Sequence, residues 1–201
     1  MQILLIRHGQ TEWNATNTLQ GQTDVPLSEL GVSQVQRLRP VIRAWQPDLA
    51  WVSPLLRAQQ TADILLAGLE QVRVEQVPAL MERANGCLEG LTRDQQTQQF
   101  PEVLHALRQD PVHATIPGGE SLTDFWQRVV PVMDQPVSAQ RLAIIAHGGS
   151  IRLLVSHFLG LGVDHLVRAH FDNACYSHTE RLGEPPREVR YRVHSINVQP
   201  S

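Results

Sequence analysis

Two short apolar runs in this chain, residues 2–6 and 142–146, stop abruptly at polar residues that include a histidine followed by glycine. Apolar runs of this length are typical of strands buried on both faces of a sheet. Further strands are predicted at 49–52, 72–77, 174–182 and 189–196. Helical patterns alternate with most of these strands, which predicts an α/β fold: a three-layer α/β/α sandwich with a mostly parallel central sheet.

The helical segments carry recognisable start signals. Ser28 is predicted to cap a helix that runs to about Trp45, and Pro40 is expected to kink that helix or to end it early. Ser53 and Pro54 are predicted to be the cap and the first residue of the next helix. With no repeat and no linker in the chain, a single domain over residues 1–201 is expected.

The charge pattern narrows the classes of partner. The formal net charge is −3, and all 17 basic residues are arginines without a clustered basic run, so nucleic acid is not expected as a partner. No apolar stretch has the length of a membrane span, so no membrane contact is expected. The chain starts without a secretory leader pattern, and its two cysteines are far apart, which together predict a cytoplasmic protein.

Polar groups follow three of the predicted strands. Arg7 and His8 end the first strand, Ser53 with Arg57 follows the second, and His147 ends the run at 142–146. Each of these patterns alone is most often an ordinary turn or helix start. Because the carboxyl ends of parallel strands meet at one edge of a sheet, the groups are expected to converge there. Arginines, histidines and helix N-termini in one place predict a site for a dianion.

The same residues belong to longer ordered motifs. Arg7-His8-Gly9-Gln10-Thr11-Glu12-Trp13-Asn14 resembles the signature of the histidine phosphatase superfamily, which includes the cofactor-dependent phosphoglycerate mutases. The resemblance continues through most of the chain, in the blocks at 20–28, 53–62, 80–90, 117–121 and 147–149. It implies a phosphoglycerate mutase-like fold and a phosphoryl-transfer reaction.

The resemblance also implies a role for individual residues. His8 would be the nucleophile that forms a phosphohistidine, and Glu82 would protonate the leaving oxygen and later deprotonate the attacking water. The residues that it assigns to binding are Arg7, Arg57 and His147 for the transferring phosphoryl group, and Asn14, Gln20, Gly21 and the backbone of Gly148 as support.

Phosphoryl-transfer chemistry sets further expectations for these groups. The attacking nitrogen of His8 must be unprotonated, so its other ring nitrogen is expected to donate to a carbonyl in the adjoining glycine-bearing turn, and nearby arginines are expected to lower the pKa of the imidazole. Glu82 must carry a proton when it acts as an acid, which predicts activity at mildly acidic to neutral pH. Arginines supply the stabilising charge, so neither a metal nor another cofactor is expected. Glu89 is expected to be structural.

The loop after Glu82 separates two activities. The mutase branch carries Glu-Arg-His-Tyr there, whereas this chain has alanine and asparagine after Arg83. This difference favours a metal-independent phosphomonoesterase acting on a small phosphorylated metabolite. The alternatives are a phosphoglycerate mutase and a module that only binds a phospho-ligand or phosphoprotein. An insertion at about 91–119 is expected to lie over the sheet edge and to line the substrate pocket. Oligomeric state is open, and a homodimer is one possibility.

Overall fold

A computed structural model describes residues 1–183 and 188–200, which form a six-stranded sheet with helices on both faces. The strands are β1 (Gln2–Arg7), β2 (Leu49–Val52), β3 (Arg73–Gln76), β4 (Arg141–Ala146), β5 (Tyr176–Leu182) and β6 (Arg190–Val198). The helices are α1 (Glu12–Ala15), α2 (Glu29–Trp45), α3 (Leu56–Leu66), α4 (Arg93–Gln99), α5 (Pro101–Gln109), α6 (Leu122–Val129) and α7 (Gly148–Phe158). No helix in the described ranges is both long enough and apolar enough to cross a bilayer.

The strand order explains why the polar strand ends converge. The sheet runs β3-β2-β4-β1-β5-β6. Its first four strands are parallel, β5 is antiparallel to its neighbour β1, and β6 is antiparallel to β5. The strands β2, β4 and β1 are therefore direct neighbours. Their carboxyl ends lead into Ser53, His147 and His8, so the predicted meeting point at one sheet edge is confirmed. The α/β class and the mostly parallel sheet are confirmed as well.

Side chains that alternate along β1 supply both faces of the sheet. Ile3 and Leu5 join a core formed with α6 and α7, to which Phe125, Ile151, Leu154 and Phe158 contribute. Leu4 and Ile6 point the other way into a core with α2 and α3, to which Val35, Leu38, Ile42 and Leu65 contribute. Period-two alternation in strands and a 3.6-residue period in helices make these two cores possible at once. The result is the predicted three-layer arrangement.

A third, smaller core lies away from the sheet. Its buried members are Leu88, Val103, Leu104 and Ile116, and Leu19 packs against them. The backbone joins the same parts, because the N–H of Leu19 donates to the Leu91 carbonyl and the N–H of Gly90 donates to the Leu19 carbonyl. The segment 91–119 thus packs behind the loop that contains Leu19, rather than over a strand at the edge of the sheet.

Two local predictions about prolines, an early end of α2 at Pro40 and a helix start at Ser53-Pro54, were wrong. Pro40 neither ends nor shortens α2, which continues to Trp45. Pro40 and Gln36 are both exposed, so the carbonyl that loses its helical donor faces water, while Leu38 and Ile42 hold the helix on the core. The helix after β2 begins at Leu56, with Leu55 at the cap position, and not at Ser53-Pro54.

Candidate active site

A cavity of about 340 Å³ opens where β1, β2 and β4 end. The predicted site residues on its wall are Arg7, His8, Asn14, Gln20, Gly21, Arg57 and Glu82. His147 is fully buried beside it, with its ring centre 5.2 Å from that of His8. Gly149, rather than the predicted Gly148, is the glycine of this pair that lines the wall. Arg7 and Gly149, which are 142 positions apart in the sequence, are thereby brought to one place.

His8 is held with one ring nitrogen engaged. Its Nδ1 lies 2.7 Å from the carbonyl oxygen of Gly9. A carbonyl can only accept, so Nδ1 carries the proton and Nε2 keeps its lone pair. Burial, reinforced by the charges of Arg57 and Arg7, lowers the pKa of His8 well below its ordinary value. The expected donor contact and the expected direction of the pKa shift are both confirmed, and burial rather than the arginines is the larger cause.

Two arginines flank His8 and are fixed by backbone carbonyls. Arg57 donates from Nη1 to the Thr23 carbonyl at 3.0 Å and from Nη2 to the Gly21 carbonyl at 2.7 Å. Arg7 donates from Nη1 to the Phe171 carbonyl. Burial lowers the pKa of Arg57 to about 10, so the guanidinium stays charged at neutral pH. The Nε atoms of both arginines are buried without a partner among the described residues, which suits them to an anionic ligand.

His147 is oriented by a serine that was misread in the sequence. Its Nε2 lies 2.7 Å from the hydroxyl oxygen of Ser53, which is fully buried. Burial, followed by the charge of Arg57, lowers the pKa of His147 well below its ordinary value, so the ring is neutral. Its Nδ1 is buried and makes no hydrogen bond within the described chain. Ser53 therefore positions His147, which is why it does not cap a helix.

Glu82 is fixed by two backbone N–H groups. Its Oε2 accepts from Gly149 at the start of α7 at 2.9 Å, and its Oε1 accepts from Arg83 at 2.9 Å. A helix N-terminus favours a carboxylate through its unpaired N–H groups and its dipole. Glu82 reaches the cavity from a loop and is held there by a residue 67 positions away.

An ion pair that sequence analysis missed supports the Glu82 loop. Arg128 on α6 binds both carboxyl oxygens of Glu120, at 2.8 and 2.9 Å. The same guanidinium donates to the carbonyls of Ala79, Met81 and Glu82, at 2.8, 3.1 and 3.1 Å. One side chain thus satisfies the backbone on which Glu82 sits. Glu120 lies in the motif at 117–121, so its presence was visible in the sequence, but its partner was not.

The loop at 20–24 is tied to the same region by Glu89. Its carboxylate accepts from the backbone N–H groups of Gln22, Thr23 and Asn85, at 2.9, 2.9 and 2.8 Å, and from the Thr23 hydroxyl at 2.6 Å. These contacts confirm the structural role that was expected for Glu89. They also fix Thr23, whose carbonyl holds Arg57.

The rest of the cavity wall departs from expectation. None of its described lining residues comes from 91–119, so the insertion supports the wall from behind through Leu19. The lining residues that the sequence analysis did not single out are Thr18, Leu19, Arg83, Asn85, Leu122, Phe125, Gly149, Arg152, Leu153 and Leu166. Leu122, Phe125 and Leu153 are apolar residues of helices, and no local pattern distinguishes a pocket-facing leucine from a core leucine.

Comparison with known proteins agrees with this geometry. The family model of the histidine phosphatase superfamily (branch 1) matches residues 3–194. The chain belongs to the histidine phosphatase superfamily. The chain is 31% identical to the uncharacterized phosphatase PhoE of Bacillus subtilis over 96% of its own length and 95% of that protein. It is 35% identical to a 2,3-bisphosphoglycerate-dependent phosphoglycerate mutase of Methylobacterium radiotolerans over 79% of each chain.

Solved structures show the same fold in phosphatases. The alpha-ribazole phosphatase of Shigella flexneri superposes with a TM-score of 0.89 at 28% identity, over 98% of this chain and 96% of that one. The fold is therefore phosphoglycerate mutase-like, as the motifs implied. Relatives with phosphatase names and relatives with mutase names are both present, so the family establishes an enzyme that acts on phosphates.

Proposed function

We propose that the protein is a metal-independent phosphomonoesterase that acts through a phosphohistidine at His8. The observation that carries this proposal is the hydrogen bond from His8 Nδ1 to the Gly9 carbonyl at 2.7 Å. It leaves a neutral Nε2 as nucleophile between two buried guanidinium groups. A protein that only bound phosphate would gain nothing from an unprotonated imidazole, because a protonated one binds a dianion better.

In the first step, the lone pair of His8 Nε2 attacks phosphorus and the bond from phosphorus to the ester oxygen breaks. Glu82 gives its proton to that oxygen, and the alcohol leaves. The charge on the equatorial oxygens is stabilised by Arg7, Arg57 and a donated hydrogen from His147. Buried guanidinium groups are preorganised for this task, so the step needs no metal ion.

In the second step, water attacks phosphorus of the phosphohistidine and the phosphorus–nitrogen bond breaks. The Glu82 carboxylate takes the proton from water, so inorganic phosphate leaves and His8 returns to its neutral form. Asn14 supports binding, since its Oδ1 accepts from Thr11 and Asn173 and its amide nitrogen is left for a substrate oxygen. Gln20, Gly21 and the backbone of Gly148 complete the binding role.

The proposed substrate is a small phosphorylated metabolite, because the cavity is only about 340 Å³ in volume. A cytoplasmic location is part of the proposal, because the two cysteines, Cys87 and Cys175, are both free thiols.

A phosphoglycerate mutase is the second candidate, favoured by the 35% identity to a mutase. The absence of the mutase His-Tyr pair after Arg83 favours hydrolysis.

The test is hydrolysis of p-nitrophenyl phosphate with EDTA present, in wild type, His8→Ala and the surface variant His113→Ala. Wild type and His113→Ala are expected to turn over equally, and His8→Ala is expected to lose at least about 10³-fold in kcat. Radiolabelled substrate should leave an acid-labile label on wild type and none on His8→Ala. Equal rates in wild type and His8→Ala would sink the proposal. Interconversion of 3- and 2-phosphoglycerate faster than phosphate release would favour the mutase.

A further inference from the structure

Arg152 is a cation on the cavity wall that the proposed reaction does not use. It lies on α7, is exposed, and lines the cavity next to Leu153 and Leu166. The one hydrogen bond of its side chain within the described ranges runs from Nη2 to the Ala169 carbonyl at 3.4 Å, near the long limit for such a bond. No described carboxylate forms an ion pair with it. Its guanidinium is therefore available to a ligand.

The other arginines of the wall are already engaged. Arg7 and Arg57 are fixed by carbonyls beside His8, where the transferring phosphoryl group is proposed to lie. Arg83 donates from Nε and Nη2 to the Glu120 carbonyl, at 3.0 and 2.8 Å. The charges of Glu120, Glu82 and Asp124 act on Arg83 as well. Arg152 differs from all three, because its side chain makes no short hydrogen bond and no carboxylate of the described chain lies within ion-pair distance of it.

The charge balance of the cavity calls for more than one anionic group. Its described lining holds four arginines and a single carboxyl group, that of Glu82. A phosphoryl dianion offsets the charges of Arg7 and Arg57. The Glu120 carboxylate is paired with Arg128, the carboxylate of Asp124 acts on Arg83, and Arg152 is left as a positive charge facing the cavity. A cleft of one sign concentrates ligands of the opposite sign.

The residues around Arg152 indicate which kind of substrate body joins the two anionic groups. Leu122, Phe125, Leu153 and Leu166 form an apolar part of the same wall. An apolar body packs well against such side chains, whereas a heavily hydroxylated one would lose hydrogen bonds to water there. A guanidinium then offers two parallel N–H groups to a carboxylate or a phosphate at the far end of that body.

We propose that Arg152 is a specificity-determining residue that binds a second anionic group on the leaving-group alcohol. Preferred substrates are then phosphomonoesters whose alcohol has an apolar body and a carboxylate or phosphate at its far end. This inference rests on the proposed phosphomonoesterase function, because it places the transferring phosphoryl group at His8.

The experiment compares aryl phosphates that differ only in the distal group. Carboxyphenyl phosphates (3- and 4-substituted) and the corresponding phenylene bisphosphates are paired with neutral hydroxymethylphenyl phosphates. Wild type, Arg152→Gln and Arg168→Gln are assayed for kcat/KM. Arg168 is a matched control, because it is an exposed arginine of the neighbouring segment that does not line the cavity. The acidic esters are expected to be preferred about tenfold by wild type and by Arg168→Gln.

Arg152→Gln is expected to lower kcat/KM for the better acidic ester about tenfold more than for its neutral partner. An equal fall for both esters would assign Arg152 to the transferring phosphoryl group and overturn the proposal. No change for either ester would leave Arg152 as a solvated surface residue and would overturn it as well. Comparison of the carboxyphenyl phosphates with the phenylene bisphosphates shows whether Arg152 binds a carboxylate or a phosphate.

Equilibrium binding separates this inference from the proposed function. Dissociation constants for the same esters are measured calorimetrically on His8→Ala and on His8→Ala/Arg152→Gln, neither of which needs turnover. Tighter binding of acidic esters that depends on Arg152, together with no hydrolysis by wild type, would refute the phosphatase and leave the specificity assignment standing. Equal binding of acidic and neutral esters would overturn the assignment alone. No binding of any ester, together with no hydrolysis by wild type, would overturn both.

Discussion

His8 Nδ1 lies 2.7 Å from the carbonyl oxygen of Gly9, so the imidazole proton is fixed on the nitrogen that faces its own backbone. The nucleophile is thus prepared by its next neighbour in the chain, and no separate base is needed to orient it. Burial keeps His8 and His147 neutral, since it lowers the pKa of each well below the ordinary value. Two neutral buried imidazoles make the free energy of unfolding depend on pH.

We expect the free energy of unfolding to fall as the pH drops below about 6.5, the ordinary pKa of histidine. In that range, the unfolded chain binds protons at His8 and His147 and the folded protein does not, so acid favours unfolding. Each buried histidine contributes a slope of about 1.4 kcal/mol per pH unit. Urea unfolding at pH 7.5 and 5.5 should show a smaller acid loss in His8→Gln than in wild type. The exposed His113→Gln should behave like wild type, and an unchanged loss in His8→Gln would contradict the assignment.

The strands and their polar ends could be predicted from the sequence because the signals are local. β1 and β4 are short apolar runs that end in histidine and glycine, and parallel topology alone places those ends together. The same logic brought in Arg57, which follows β2. By contrast, Ser53 was misread as a helix cap, because a serine before a proline looks the same whether it caps a helix or holds His147 across the sheet.

The support of Glu82 could not be predicted for a related reason. Its partner Gly149 lies 67 positions away, and Arg128 lies 46 positions from the Glu82 carbonyl to which it donates. Such contacts depend on how α6 and α7 pack, and side-chain chemistry at one position does not specify that packing. The prediction that α2 ends early at Pro40 was wrong for the opposite reason, because the packing of α2 on the core outweighed the helix-breaking tendency of proline.

Arg128→Met is expected to destabilise the protein by about 3 kcal/mol and to lower kcat at least about tenfold. The change leaves Glu120 without its cation, removes donors from three loop carbonyls and loosens the backbone of Glu82. The matched control is Arg73→Met, which breaks the exposed Arg73–Glu75 pair and should cost less than about 0.5 kcal/mol. Chemical denaturation and steady-state kinetics measure both effects. Equal losses of stability in the two variants would refute the role of Arg128.

Ser53→Ala is expected to lower kcat/KM between about 10- and 100-fold, because His147 loses the partner of its Nε2 and no longer holds one orientation. The cost in stability should be about 1–2 kcal/mol, as for other buried groups left without a partner. Ser177→Ala is the control, since Ser177 is equally buried and its hydroxyl accepts from Asn197 away from the cavity. It should lose similar stability and keep its activity. A loss of activity in proportion to stability in both variants would remove the positioning role of Ser53.

Gly149→Ala is expected to lower kcat at least about 100-fold while the fold is kept. A Cβ atom at Gly149 would lie 2.1 Å from Glu82 Oε1 and 3.0 Å from Phe125 Cε1, so the carboxyl group has to move. Alanine is also the better helix former by about 1 kcal/mol, which offsets part of the strain.

Gly148→Ala is the matched control for Gly149→Ala, because its Cβ would meet Arg7 Nε at 3.4 Å, an ordinary contact. Its loss of kcat should be much smaller, and thermal unfolding should show both variants folded. The double variant Glu82→Gln/Gly149→Ala should be no slower than Glu82→Gln, because a steric effect that acts through Glu82 has nothing left to displace. Additive losses in the double variant would show that Gly149 acts on the reaction by a route other than the position of Glu82.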